Sequence, residues 1–261
     1  MLFVIIFLII IFLCWGSFLN VVAYRSIFDK NFFQKRSTCN NCNGLIKFYD
    51  NIPVISYLIL KAKCRQCKAK ISVLYPVIEI LTSLILTLLF FNIFYINNNF
   101  IFYNKNILEF FAYFIFFSAL IISTRTDLEA LVIPQAFSIY LVPVGFIFAY
   151  FNLLKINFWD SIIGAFFGYL ILFLTAKIFK FFTKKEGLGE GDMELLALIG
   201  AFIGFAGVWY TILIASLTGS LIGVIYLLIT KKTRDLQIPF GPFLSFGAIV
   251  YFFLNTFIRI F

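Results

Sequence analysis

Apolar residues fill most of the chain in eight runs, which polar or charged segments separate. A helix that crosses a lipid bilayer needs roughly 20 apolar residues, and most of the runs approach that length. The pattern therefore predicts an all-α polytopic membrane protein with about eight transmembrane helices. The runs cover residues 1–23, 73–95, 107–123, 133–151, 159–182, 195–205, 208–230 and 240–261.

One polar segment, residues 24–72, is much longer than the others and carries four of the five cysteines. The run before it lacks the basic start of a cleaved signal peptide, so we expect that run to remain as a spanning helix. We predict three parts: a first transmembrane helix at 1–23, a small loop domain at 24–72 and a seven-helix membrane domain at 73–261.

Composition supports a membrane protein and narrows the possible chemistry. Hydrophobic residues make up 62% of the chain, and the mean hydropathy is +1.02, whereas soluble domains are nearer half apolar. The chain contains no histidine, which removes the commonest general base and the commonest metal ligand. Catalysis would then have to use Asp, Glu, Lys, Tyr or Cys.

The net charge of +9 reflects membrane topology better than binding to nucleic acid, because the basic residues lie between the apolar runs. If the 24–72 segment is cytoplasmic and the runs alternate in direction, 18 of the 21 Lys and Arg residues lie on the cytoplasmic side. This excess predicts that orientation, with both termini outside, and the sequence predicts no nucleic-acid partner.

The 24–72 segment contains two CxxC pairs, Cys39 with Cys42 and Cys64 with Cys67. Four thiolates suit a tetrahedral Zn²⁺ ion, and a closed four-cysteine shell is structural. Two disulfides or two redox-active CxxC motifs are the alternatives, but a reducing cytoplasm disfavours disulfides. A loop of this size without a large core also needs a staple, which favours a structural zinc ion.

Two acidic residues, Asp127 and Asp192, fall at the cytoplasmic ends of apolar runs. Without histidine, a pair of carboxyl groups at the membrane–water boundary suits an aspartic protease. One ionised carboxylate activates water while the other, protonated, polarises the scissile carbonyl. Like charges held close cannot both ionise, so we expect the pair to titrate as one unit.

Helix capping is the competing interpretation of both aspartates. Thr126 and Glu129 fit a T-x-x-E capping box, which would make Asp127 an acidic first-turn residue. Asp192 could cap the following helix, with Glu194 favoured by the helix dipole.

Glu79 and Gly191 are possible supporting residues. Glu79 follows Pro76 by about one helical turn, where a Glu is favoured by the helix dipole, but acidic residues inside spans are also functional candidates. Gly191, with Gly187 and Gly189, would let a backbone or a substrate approach closely.

The order of motifs resembles that of the bacterial type IV prepilin peptidase family. The similar segments are GSFLNVVAYR (16–25), the paired CxxC motifs, NIPVISYLILKAKCRQC (51–67), ISVLYPVIEILTS (71–83), TDLEALVIP (126–134), GLGEGDMELLALIGAFIG (187–204) and IPFGPFLSFG (238–247).

This resemblance implies an aspartic endopeptidase of the bacterial plasma (inner) membrane that removes the basic leader of prepilins or pseudopilins on the cytoplasmic side of the bilayer. It maps the catalytic residues onto Asp127 and Asp192 and the zinc ligands onto the four paired cysteines. It also implies N-methylation of the new N-terminus with S-adenosylmethionine, for which no nucleotide-binding fingerprint is visible.

Two positions depart from the family pattern. Glu194 stands where the family usually has Lys, and Gln135 stands where it often has Asp or Asn. Glu194 could act on Asp192 through its charge or alter substrate preference. The alternative functions are a peptidase without methyl transfer and a non-enzymatic transporter or assembly scaffold with a zinc-stapled loop.

Overall fold

The computed structural model describes residues 2–28, 37–39, 41–96, 99–100, 102–184, 187–230 and 238–258. Helices account for most of these residues, and the only sheet among them is a hairpin of two-residue strands. The elements are α1 (Leu2–Ile27), α2 (Ile55–Ile59), α3 (Leu74–Phe94), β1 (Tyr95–Ile96), β2 (Asn99–Phe100), α4 (Asn104–Ala130), α5 (Val142–Tyr150), α6 (Phe158–Thr183), α7 (Glu190–Thr230) and α8 (Gly241–Ile258), with 3₁₀ turns at Phe48–Asn51, Gln135–Phe137 and Ile139–Leu141.

Five of the described helices are long and apolar enough to cross a membrane: α1, α3, α4, α6 and α7. Two shorter apolar helical stretches accompany them. One, Gln135–Tyr150, comprises two 3₁₀ turns and α5, and the other, Gly241–Asn255, lies within α8. The predicted class, an all-α polytopic membrane protein, is thereby confirmed. The count of eight spans stays a prediction.

The chain forms two compact units, residues 1–101 and residues 102–261. In the first unit α1 packs along α3, so the helix after the cysteine segment belongs with the helix before it. A Cβ at Gly16 would lie 2.8 Å from Cα of Glu79, and Asn20 Nδ2 donates to the Tyr75 carbonyl at 3.1 Å. The predicted division into three parts, at residues 23 and 72, is based on the change between apolar and polar segments, and it stays a prediction.

Aromatic side chains from three helices form the core of the second unit. Phe116 of α4 stacks on Phe202 of α7 with ring centroids 4.8 Å apart. Tyr113 and Phe117 of α4 pack against Phe252 of α8 at 4.6 and 5.1 Å. These contacts fix α4, α7 and α8 side by side.

Segment α7 contains both of the apolar runs at 195–205 and 208–230 that the sequence analysis predicted as separate spans. The two runs form consecutive helices within Glu190–Thr230, with no loop between them. The segment breaks at Gly204, whose φ of 76° and ψ of −179° are not helical. Glycine adopts a positive φ without the clash that a Cβ would cause.

The first turn of α6 satisfies the backbone groups that this break frees. In a continuous helix the Ala201 carbonyl would accept the Phe205 N–H. Instead, Ser161 Oγ donates to the Ala201 carbonyl at 2.6 Å, and the Phe205 N–H donates to Asp160 Oδ1 at 3.2 Å. Unpaired backbone groups are costly in apolar surroundings, so this pairing makes the break at Gly204 tolerable.

Helices α6 and α7 approach each other through small residues in an antiparallel register. A Cβ at Gly164 would lie 2.5 Å from the Gly200 carbonyl oxygen, and one at Gly168 would lie 2.5 Å from the Leu196 carbonyl oxygen. Glycines spaced four apart allow backbones to come this close in membrane helices. Each step of four along α6 thus matches a step of four back along α7.

We expect Gly200→Ala to destabilise the protein, because its Cβ would overlap the Gly164 carbonyl and force the two backbones apart. Overpacking of this kind costs about 1–3 kcal/mol. Gly219→Ala on the same helix is the matched control, since its Cβ would meet Phe243 at an ordinary 3.5 Å. Thermal melting in detergent should show a lower midpoint for Gly200→Ala only. An unchanged midpoint would contradict the packing described.

Candidate active site and metal centre

Asp127 lies in the last turn of α4, which ends at Leu131 in the left-handed conformation. The negative end of a helix dipole disfavours a carboxylate, so its own helix does not stabilise Asp127. A donor from another helix does: the Gly241 N–H, at the start of α8, donates to Asp127 Oδ2 at 2.9 Å. Asp127 is thus buried and points at the N-terminus of α8.

Asp192 lies in the first turn of α7. The positive end of the helix dipole favours a carboxylate there. A Cβ at Gly189 would meet nothing closer than Asp192 Oδ2, at 3.7 Å, so the space beside this carboxyl group is open on the glycine side. Asp127 lies close enough to act on Asp192 electrostatically.

Ile133 joins the segments that carry the two aspartates. A Cβ at Gly191 would lie 2.9 Å from Cβ of Ile133, and a Cβ at Gly241 would lie 3.0 Å from Cδ1 of the same residue. The segment after Asp127, the glycine segment before Asp192 and the start of α8 therefore meet at one place. The structure brings together the two aspartates that the sequence analysis selected.

The capping interpretation of Asp127 is wrong in its original form. Helix α4 continues through Thr126 and Glu129, so Asp127 is a last-turn residue and no helix begins there. The apparent capping box fails because capping depends on where a helix starts, which apolar runs alone mark poorly. Asp192 is a first-turn residue rather than the cap, because α7 starts at Glu190.

The carboxyl pair lies well below the tip of α6. Continuing the α6–α7 register by one step of four places Asp192 level with Leu172. Helix α6 runs on to Thr183, roughly 16 Å further along its axis. The last turns of α6 therefore extend past the level of the pair, and they carry the exposed Phe181 and Phe182 together with Lys177 and Lys180.

The two positions that depart from the family pattern contact each other. Gln135 Nε2 donates to Glu194 Oε1 at 3.0 Å, and Ser138 Oγ donates to Glu194 Oε2 at 2.8 Å. Glu194 therefore directs its carboxylate at the connection between α4 and α5. The sequence analysis did not identify Ser138, because a single Ser in an apolar run gives no signal.

Glu79 lies in the first unit, whereas both aspartates lie in the second. It is buried on α3, where Oε2 accepts the Val54 N–H at 2.8 Å. Val54 has a φ of 61°, which is costly for a β-branched residue. Glu79 thus holds a strained turn of the segment that follows the first CxxC pair.

Arg125, like Ser138, is a residue that the sequence analysis did not select. It is fully buried two residues before Asp127 and forms an ion pair with Glu129 one turn later. A buried guanidinium requires a partner, so Glu129 contributes to this ion pair rather than to a cap. The signal available in the sequence was the i, i+4 spacing of opposite charges.

The four paired cysteines converge in the first unit. Their sulfur atoms all lie within 4.8 Å of one another, and the Sγ atoms of Cys39 and Cys67 are 3.8 Å apart. A tetrahedral ion with Zn–S bonds of about 2.3 Å separates its sulfur ligands by about 3.8 Å. Each cysteine carries a free thiol, so the arrangement suits a metal ion and the disulfide alternative is not present.

The turn around the first CxxC pair has a defined hydrogen-bond pattern. The Cys39 N–H donates to the Gly44 carbonyl at 3.0 Å, and the Asn43 N–H donates to the Cys39 carbonyl at 2.9 Å. Thr38 and Leu45 form a bridge that closes the turn. Asn43 has a φ of 54°, which turns the backbone after the second cysteine.

The second CxxC pair repeats this turn position by position. The Cys64 N–H donates to the Ala69 carbonyl at 2.8 Å, and the Lys68 N–H donates to the Cys64 carbonyl at 3.0 Å. Lys63 and Lys70 form the equivalent bridge, and Lys68 has a φ of 59°. Two copies of one turn thus face each other with four thiols between them.

Backbone donors in these turns favour thiolates, but not all four at once. The Ala69 N–H is the largest influence that lowers the pKa of Cys67 to about 6, and the Cys42 N–H similarly lowers the pKa of Cys39. The Gly44 N–H acts the same way on Cys42, but burial and the neighbouring thiols outweigh it and raise the pKa of Cys42 to about 11. A cation is needed to hold four thiolates together.

An ion pair ties the second CxxC turn to the 3₁₀ turn at Phe48–Asn51. The Arg65 guanidinium donates to both oxygens of Asp50, with Nη2 2.7 Å from Oδ1 and Nε 2.9 Å from Oδ2. These hydrogen bonds lower the pKa of Asp50. The pairing leaves Arg65 engaged with a carboxylate next to the thiol cluster.

A polytopic all-α membrane protein with a carboxyl pair between helix ends and a four-thiol cluster matches known families along most of its length. Residues 10–93 match the bacterial peptidase A24 N-terminal domain, and residues 114–224 match the type IV leader peptidase family. The chain therefore belongs to the type IV leader peptidase family, as the motif order predicted. No solved structure matches it.

Several curated relatives share the name prepilin leader peptidase/N-methyltransferase. The relative from Aeromonas salmonicida is 32% identical over 260 residues, covering 89% of this chain and 84% of the relative. Those from Legionella pneumophila and Pseudomonas aeruginosa are 31% and 32% identical, covering 91% and 89% of this chain and 87% and 84% of the relatives. The prediction of a leader-peptidase-type enzyme is confirmed.

Proposed function

We propose that the protein is a membrane aspartic endopeptidase that cleaves the basic leader of type IV prepilins or pseudopilins at the cytoplasmic face of the inner membrane. The observation that carries this proposal is the meeting of the Asp127 and Asp192 segments at Ile133. The names of the relatives supply the substrate class. The excess of basic residues on one side supports the cytoplasmic orientation.

In the proposed reaction the two carboxyl groups share one proton. The ionised group takes a proton from a water molecule, which attacks the scissile carbonyl carbon. The protonated group donates a hydrogen bond to the carbonyl oxygen, which gains negative charge. The proton taken from water then passes from its carboxyl group to the leaving amine nitrogen. As it does so, the tetrahedral intermediate collapses and the C–N bond of the peptide breaks.

The helix ends supply the positioning that this chemistry requires. The Gly241 N–H binds Oδ2 of Asp127, and we assign the contact with water or substrate to the other oxygen, Oδ1. The open side of Gly189 beside Asp192 gives an extended peptide room to approach. Burial of Asp127 keeps bulk water from most of that carboxyl group, which strengthens electrostatic interactions there.

We further propose that Cys39, Cys42, Cys64 and Cys67 hold a structural zinc ion. The sulfur separations and the two equivalent turns support this assignment. Four thiolates leave no open position on the ion, so the zinc would stabilise the loop and take no part in peptide hydrolysis.

Methylation of the new N-terminus is proposed from the names of the relatives alone. The strand-and-glycine-turn frame that commonly binds nucleotides is absent from the described residues, where the only sheet is the hairpin of β1 and β2.

We expect Asp127→Asn and Asp192→Asn each to lower the cleavage rate of a prepilin in membranes by about 100-fold or more, because each removes a proton-transfer group. Glu190→Gln is the matched control: it removes an exposed carboxylate two residues from Asp192 and should cleave at the wild-type rate. Near-wild-type cleavage by either Asp variant would show that the pair is misassigned.

Product mass in the same assay tests the second activity. A product that has lost the leader and gained one methyl group indicates methyl transfer, and we expect this result with S-adenosylmethionine present. A product without the methyl group would limit the function to the peptidase.

We expect the purified protein to carry one zinc ion per chain, measured by elemental mass spectrometry. Cys39→Ser and Cys64→Ser should each lose it, because three thiolates close the shell incompletely. Cys14→Ser is the control: Cys14 lies in α1 outside the cluster, so this variant should keep its zinc. Full zinc content in Cys64→Ser would rule out the four-thiol site.

A further inference from the structure

The connection between α4 and α5 is fastened to α7 through Glu194. Its two carboxylate oxygens each accept one hydrogen bond from this connection, Oε1 from Gln135 and Oε2 from Ser138. Ser138 is fully buried and lies between the two 3₁₀ turns, Gln135–Phe137 and Ile139–Leu141. An ionised carboxylate only accepts hydrogen bonds, so it can hold both donors at once.

Glu194 does not face Asp192, although only one residue separates them. Residues two apart on a helix point to different sides. The hydrogen bonds of Glu194 confirm this direction, because they lead to the α4–α5 connection rather than to the aspartate pair. The segment that Glu194 holds therefore offers a structural route from Glu194 to the aspartate pair.

This segment begins immediately after the Asp127 turn. Ile133, two residues before Gln135, packs against Gly191 next to Asp192. Below that contact, Ser138 and Gln135 bind Glu194, one turn further into α7 than Gly191. The chain leaving Asp127 is thus attached to the start of α7 at two successive levels.

We propose that Glu194 is a positioning residue for the aspartate pair: by holding Gln135 and Ser138, it fixes the distance between Asp127 and Asp192. The proposal rests on the peptidase function proposed above. Glu194 acts through its hydrogen bonds to Gln135 and Ser138, and its negative charge does not act directly on the pair.

Kinetics of Glu194→Ala test this role. We expect kcat for prepilin cleavage to fall by about tenfold to 100-fold, because small displacements of reacting groups have effects of this size. KM should stay within about twofold, since no substrate contact is removed. Glu194→Gln keeps the shape and can both accept from Gln135 and donate to Ser138, so it should restore most of kcat with an unchanged pH–rate profile.

A coupled set of variants separates positioning from general destabilisation. Gln135→Ala with Ser138→Ala should lower kcat as Glu194→Ala does, and adding Glu194→Ala to that pair should cost little more, because all three changes break one unit. If Glu194→Ala does not accumulate in membranes, Gln135→Ala with Ser138→Ala still tests the proposal. Zinc content and melting midpoint are measured for each variant as checks on folding.

Three results would overturn the proposal: wild-type kcat in Glu194→Ala, losses that simply multiply when the variants are combined, or a shifted pH–rate profile in Glu194→Gln. The last would mean that the charge of Glu194 acts directly on the pair. Asp127→Asn, assayed alongside, separates the two proposals: if it is inactive while Glu194→Ala is normal, only the positioning role fails. If Asp127→Asn cleaves normally, the peptidase assignment itself fails.

Discussion

The hydrogen bond from the Gly241 N–H to Asp127 is the interaction on which the candidate active site depends. A carboxyl group buried at the negative end of its own helix needs a donor from elsewhere, and the first turn of another helix has free N–H groups. The start of α8 must therefore lie against the end of α4. Once it does, Ile133 fills the space between Gly241 and Gly191, and the start of α7 follows.

The same requirement, that polar groups in apolar surroundings be paired, explains the break in α7. Asp160 and Ser161 satisfy the two backbone groups freed at Gly204, and the glycines of α6 and α7 allow the approach that brings them there. This packing sets the level of Asp192 along α6. The recessed position of the pair is thus a consequence of helix packing at the far end of the same helices.

The four-cysteine cluster is explained by the local turns that carry its thiols. Its two turns are equivalent in hydrogen bonding and in backbone conformation, so each CxxC presents its thiols in the same way and the four sulfurs meet with little adjustment. This cluster lies in the first unit, and the carboxyl pair lies in the second. The sequence separates them as well, by placing the cysteines in one polar segment.

Features carried by short patterns could be predicted from the sequence. Apolar runs predicted the membrane helices, and the two CxxC pairs predicted the thiol cluster. The lack of histidine favoured Asp127 and Asp192 as candidate catalytic residues. The Gly241 donor, the partners of Glu194 and the pairing at Gly204 could not be predicted, because each joins residues 40 or more positions apart. Such contacts depend on helix register, which hydrophobicity does not specify. The competing interpretation of Thr126 and Glu129 as a capping box was wrong because helix ends are poorly defined in uniformly apolar sequence.

The meeting of the two aspartate segments can be measured directly with a disulfide between positions 133 and 191. The Cβ positions lie 2.9 Å apart, so a slight outward shift brings them to the roughly 3.5–4.5 Å found in disulfides. A variant with Ile133→Cys, Gly191→Cys and Cys14→Ser is oxidised mildly in membranes and analysed by peptide mass. We expect a disulfide-linked pair of peptides from these two segments. Two separate thiols, both open to alkylation after oxidation, would contradict it.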